Sequence, residues 1–97
     1  MIKMPTTKKI KGKIIISNDR GLHTRPSTEL VKCASSFTSQ IFLSYQKLSV
    51  NAKSLLGVLM LAAKKGAKIQ VEAEGEDAEA AISALTELAC NNFYIKY

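Results

Sequence analysis

The chain reads as an α+β domain: four strands and three helices in the order βαββαβα, with the helices on one side of a mostly antiparallel sheet. Three observations predict this. Residues 67–74 (AKIQVEAE) alternate apolar and polar side chains, as a strand with one solvated face does. Stretches 26–37 and 78–89 repeat their apolar residues at helical spacing. Short β-branched and aromatic runs bounded by turn residues supply the other strands.

Residues 1–9 are a basic leader expected to fray, and residues 10–97 form one domain. A chain of 97 residues has room for one core, and 46% hydrophobic with 23% charged residues is globular composition. Disordered and fibrous chains are thereby excluded. The first strand spans Lys11–Ser17. Asn18, Asp19, Arg20 and Gly21 are turn chemistry. A helix begins at Pro26, whose missing N–H costs nothing in a first turn. Its apolar face is Pro26, Leu30, Ala34 and Phe37, with Cys33 beside them, and Thr24, Thr28, Lys32 and Ser35 form the polar stripe. Strands follow at Gln40–Tyr45 and Leu48–Asn51, joined by a Gln46-Lys47 turn. Ser54 caps a short helix, Leu55–Leu61. After the Lys64-Lys65-Gly66 loop comes the alternating strand 67–74. Asp77 is placed to cap the last helix, which buries Ala78, Ala81, Ile82, Leu85, Leu88 and Ala89 and ends at Asn91-Asn92.

The longest apolar run, Leu55 to Ala63, is nine residues, and a membrane span needs about 20. The basic start leaves no room for a secretory signal, so a cytoplasmic chain without membrane insertion is expected. Cys33 and Cys90, with a single histidine, make no metal site; reduced, partly buried thiols are expected, and no cofactor is implied. The net charge is +6, unevenly spread. Residues 20–68 hold eight bases against Glu29 alone, whereas residues 72–87 hold six acids and no base. Such a basic body favours an acidic partner: a phosphate group, a nucleic acid or an acidic protein face.

The one histidine, His23, lies in Gly21-Leu22-His23-Thr24-Arg25-Pro26, between a turn and a helix start. A lone histidine is more often structural than reactive. Here the helix N-terminus offers backbone N–H groups and a positive dipole end, and Arg25 adds a planar cation suited to phosphate oxygens. Together they make a small phosphoryl-binding site in which the imidazole is the candidate nucleophile. No motif marks a serine or cysteine nucleophile, and no phosphate-binding glycine loop is present, so self-contained catalysis is not expected. The second feature is the run 51–61 (NAKSLLGVLML). A short helix apolar on all sides cannot be wholly buried in so small a domain, and its exposed part is a candidate docking surface. The plainer alternatives are a core helix with incidental apolar residues and a serine that only caps.

GLHTRP, followed by a helix, then VNAKSLLGVLML and the GAKIQVEAEGED strand-to-helix junction, resembles HPr, the family of histidine-containing phosphocarriers of the bacterial phosphoenolpyruvate:sugar phosphotransferase system. The resemblance runs from about Lys11 to Asn91. It implies an open-faced β-sandwich: a four-stranded antiparallel sheet with three helices on one face. It also implies that His23 accepts a phosphoryl group on Nδ1 from phosphorylated enzyme I and passes it to an enzyme IIA domain. Arg25 matches the arginine that steadies the phosphoryl group. Ser54 matches the serine that HPr kinase/phosphorylase modifies in some bacteria. Leu55, Leu56, Gly57 and Leu59, with Thr24, Thr28, Lys32 and Ser35, match the partner-docking patch.

Three departures stand out: the long basic leader, the lack of a glycine just after the second helix, and the aromatic tail Phe93-Tyr94-Ile95-Lys96-Tyr97. The tail is expected to stay clear of the reactive motif. The leading reading is a monomeric cytoplasmic phosphocarrier, not an enzyme in its own right. Its rivals are a mainly regulatory member of the same family and a small basic nucleic-acid-binding module, the latter without a recognised motif.

Overall fold

A computed structural model describes residues 9–95 of the chain. The elements are β1 (Lys9–Ile15), α1 (Thr24–Ser35), β2 (Gln40–Tyr45), β3 (Leu48–Asn51), α2 (Leu55–Met60), β4 (Lys68–Glu74) and α3 (Ala78–Cys90), followed by a short 3-10 turn at Asn92–Tyr94. The four strands form one antiparallel sheet in the order β1-β4-β2-β3. Along β4, Ile69, Val71 and Ala73 are buried under the helices, whereas Lys68, Gln70 and Glu74 face out. Alternation along the strand therefore selects the covered face. Ile14 of β1 and Ile41 and Leu43 of β2 complete it, with Leu30 of α1 and Ala81 and Leu85 of α3 packed into the same core. α3 lies on β1 and β4, and α1 packs against α2 and α3. Gly12 permits the close approach of α3: a Cβ there would come within 2.7 Å of Ile82 Cγ2.

β1 runs from Lys9 to Ile15, two residues earlier at both ends than the sequence predicts. Its extent follows its partner, from Lys9 opposite Glu74 to Ile15 opposite Lys68. Lys9, assigned to the leader on sequence, belongs to the sheet, where its ammonium meets Glu72 at 2.9 Å. The rest of the leader lies outside the described residues. α1 likewise starts at Thr24, before Pro26. Proline is tolerated anywhere in a first turn, since those N–H groups have no intrahelical acceptor. Gln46 and Lys47 join β2 to β3 with φ of 50° and 70°, the left-handed pair a two-residue hairpin requires. Cys33 is half-buried, which pushes its thiol up; Cys90, expected to be partly buried, is exposed at the end of α3.

Asp77 stands at the N-cap of α3 but makes no capping bond with its own helix. Its carboxylate reaches instead to the loop between α1 and β2. There it accepts from the N–H groups of Thr38 at 2.8 Å and Ser39 at 2.9 Å, and from both hydroxyls. The Ser39 hydroxyl and the Thr38 N–H hold its pKa down to about 2. A carboxylate depressed on folding stabilises the protein above its unfolded pKa, and the gain is lost as pH falls through the folded value. Asp77→Asn is therefore expected to melt lower than wild type at neutral pH. Wild type should lose that advantage progressively between 3.8 and about 2. Thermal melts of both proteins across this range check it; a constant difference would remove the charged carboxylate from the account.

Candidate functional site

His23 occupies the N-cap of α1 in an extended conformation, φ −84° and ψ −166°. The segment before it is held from three directions. The Leu22 N–H donates to the Ala63 carbonyl at 2.9 Å, on the loop between α2 and β4. The His23 N–H donates to the Gly21 carbonyl at 3.0 Å, and the Gly21 N–H donates to the Asn18 carbonyl at 2.9 Å. From the helix side, the buried Ser27 hydroxyl donates to the Leu22 carbonyl at 3.1 Å. Gly21 has φ of 70°, and a Cβ there would come within 2.4 Å of the Ala63 carbonyl oxygen. Only glycine allows both the turn and the close approach. Leu22 is buried as an anchor, so the histidine that follows has little freedom.

The His23 side chain is half-buried, with Nε2 out of solvent. Thr24 and Arg25 are exposed in the first turn. The start of α1 carries the positive end of the helix dipole and N–H groups that no earlier turn can accept. His23 and Arg25 thus flank the same helix start, at its N-cap and in its first turn. Among the described residues no group of three His, Cys, Asp or Glu is placed to hold a metal ion.

Beside this helix, α2 turns only part of its surface inward. Val58 is buried and Gly57 and Leu59 are half-buried, whereas Leu55 is 38%, Leu56 70% and Met60 60% exposed. Met60 joins the exposed apolar residues expected on sequence. Ser54 caps α2, its hydroxyl accepting from the Gly57 N–H at 3.1 Å, and is itself exposed. On neighbouring α1, Thr24, Lys32 and Ser35 are exposed and Thr28 is half-buried. Thr28 donates to the Thr24 carbonyl at 2.8 Å, and the Lys32 ammonium lies 3.7 Å from Glu29. The glycine missing after α2 is visible in the backbone: Ala62 takes its place with φ of 49°. Left-handed backbone costs a residue with a Cβ about 1–2 kcal/mol.

The described part of the C-terminal tail, expected to stay clear of the reactive motif, reaches it at Arg25, whereas Lys96 and Tyr97 lie outside the described residues. Asn92, Phe93 and Tyr94 have φ of 52°, 56° and 59°, three successive non-glycine residues in the left-handed region. Such a turn persists only where its surroundings over-determine it. Phe93 is 1% exposed and anchors it in the core. The Asn92 side-chain oxygen accepts from Ser17 Oγ at 2.5 Å, and its carbonyl accepts from Asn18 Nδ2 at 3.0 Å. The turn thus fastens the loop that leads into His23. It also walls a recess of about 310 Å³ lined by Arg25, Thr28, Glu29, Phe93, Tyr94 and Ile95. Asn18 read only as a turn residue in the sequence, and nothing there pointed to Asn92.

Comparison with known proteins bears on the family and the fold. The family model described as "PTS HPr component phosphorylation site" matches residues 10–91. The chain is 43% identical over 84 residues to the phosphocarrier protein HPr of Xylella fastidiosa strain 9a5c, covering 87% of this chain and 94% of that protein. To the phosphocarrier protein HPr of Neisseria meningitidis serogroup A it is 42% identical over 79 residues, 81% of this chain and 89% of the other. Among solved structures, a mycoplasma histidine-containing phosphocarrier protein superposes with a TM-score of 0.82 at 35% identity, over 91% of this chain and all of the other. A family model over most of the chain, relatives at 43% and 42% identity and a solved phosphocarrier of the same fold agree, and the chain belongs to the HPr family of phosphotransferase-system phosphocarriers.

Proposed function

We propose that the protein carries a phosphoryl group on His23, taking it from phosphorylated enzyme I and delivering it to an enzyme IIA domain. The observation that carries this reading is the held N-cap histidine with Arg25 in the turn that follows. With Nε2 buried, Nδ1 is the nitrogen left for chemistry. In the neutral ring the proton sits on Nε2 and the Nδ1 lone pair attacks phosphorus. The new N–P bond forms as the bond from phosphorus to enzyme I breaks. The three phosphoryl oxygens carry the negative charge, which the start of α1 and the Arg25 guanidinium meet. Delivery reverses these steps: an acceptor atom of enzyme IIA attacks, and the N–P bond breaks. The chain is a covalent relay, and its partners supply the remaining catalytic groups.

The partners dock on the exposed parts of α1 and α2, Thr24, Thr28, Lys32 and Ser35 with Leu55, Leu56, Gly57 and Leu59. Ser54 at the edge of that surface is the candidate target of HPr kinase/phosphorylase. Its helix end tolerates a phosphate, whose charge would have to be desolvated when Leu55 and Leu56 dock. We place the protein in the cytoplasm as a monomer. Among the described residues no helix is long and apolar enough to cross a membrane.

The test is incubation with phosphoenolpyruvate and enzyme I, followed by intact mass. One acid-labile phosphoryl group is expected, since an N–P bond hydrolyses in acid. HPr kinase and ATP are expected to add a second, acid-stable group on Ser54. No labile group would overturn the carrier reading, and no stable group would return Ser54 to simple capping.

A further inference from the structure

We infer that Tyr94 is a specificity-determining contact for the proteins that exchange phosphoryl groups with His23, its recess receiving an apolar side chain from them. The inference rests on the carrier reading and deepens it. Arg25, two residues from His23, lines the recess that Tyr94 walls. A protein whose reacting centre reaches His23 comes close to Arg25, two residues on, and so to the recess that Arg25 lines.

The lining states what fits. Tyr94 supplies the exposed apolar surface of the lining, over the nearly buried Phe93 and Ile95. Glu29 also lines the recess with Arg25, so a second anion would face a carboxylate there. At about 310 Å³ the recess has room for one large apolar side chain, and it lacks the enclosed walls of a small-molecule pocket. Exposed aromatic residues beside a pocket are favoured anchors at protein interfaces.

The backbone shows that Tyr94 is held where it is. It is 69% exposed, yet it follows Phe93, which is 1% exposed, and precedes Ile95, which is 9% exposed. Its N–H donates to the Asn91 carbonyl at 2.8 Å, and the Ile95 N–H donates to the Asn92 carbonyl at 3.0 Å. Two buried neighbours and this hydrogen-bonded turn fix the backbone of an outward-facing aromatic residue. Rigid presentation lowers the entropy lost when a partner packs against it.

The experiment is steady-state phosphotransfer with the full chain as the varied substrate of enzyme I, and as the phosphorylated donor to an enzyme IIA domain. Tyr94→Ala is expected to raise KM about five- to tenfold with at least one of them, as loss of about 1–1.4 kcal/mol of contact implies. Its kcat should stay within about twofold and its melting temperature unchanged, as expected of a residue that acts on docking alone. Tyr94→Phe should restore wild-type KM, because the ring is what packs. An unchanged KM for Tyr94→Ala with both partners overturns the inference while the carrier reading stands. A loss of kcat with normal KM also overturns it, since Tyr94 would then act on the chemistry. A wild-type protein that takes no phosphoryl group at all overturns both.

Discussion

Replacing His23 with alanine is expected to abolish phosphoryl acceptance from enzyme I, with no residual labelling at the wild-type site. Removal of the nucleophile leaves nothing in its place: Arg25 and the helix end bind oxygens but offer no lone pair to phosphorus. The fold should survive. His23 is half-buried and its side chain makes no capping hydrogen bond, so alanine changes stability by about 1 kcal/mol or less. Arg25→Ala should keep the acceptor and lose a charge-assisted contact of about 1.5–3 kcal/mol, slowing transfer by roughly ten- to a hundredfold. Arg25→Lys should fall between, because a point charge does not reproduce a bidentate fork. Initial labelling rates and thermal melts of the three variants check the set. Wild-type labelling of His23→Ala would move the phosphoryl group to another residue.

Phe93→Ala should be the most destabilising of the substitutions considered. The ring is 1% exposed and holds a left-handed turn of three residues against the core. Truncating a buried phenylalanine costs about 3–5 kcal/mol. In a domain of this size that lowers the melting temperature by roughly 4–8 °C per kcal/mol. The consequence should also reach the reactive loop. Asn92 loses its anchored backbone, and with it the bonds to Ser17 and Asn18 that hold the approach to His23. Urea titration at constant m-value measures the first effect. Hydrogen exchange at the Gly21 and Leu22 amides measures the second, with faster exchange expected. Phe93→Leu should retain most of both. A Phe93→Ala protein as stable as wild type would place the tail outside the core.

Much of this was legible in the residue order, because the forces involved are local. Alternation in 67–74 marked β4 and its buried face, since side chains of a strand alternate whatever it pairs with. Helical spacing located α1 and α3 and nearly all their buried residues. His23 and Arg25 were legible as a site because a turn, a helix start and a cation lie within six residues of chain. Where sequence and structure part, the deciding partner is distant. The ends of β1 were set by β4, about 60 residues away in the chain. Asp77, well placed to cap its own helix, binds Thr38 and Ser39 instead, 39 and 38 residues away. Ala62 adopts the backbone of a glycine because its neighbours fix its path, at a cost no local propensity would accept.

The aromatic tail is the plainest case. By itself the sequence determined that the tail 93–97 is rich in aromatic residues, and that His23 stands at a helix start. Only the tertiary structure decided that the tail lies beside the loop leading to that histidine. Asn92 and Ser17 are 75 residues apart. No periodicity within either segment encodes the contact, because it arises where α3, packed along β1, carries Asn92 back beside the turn that follows that strand.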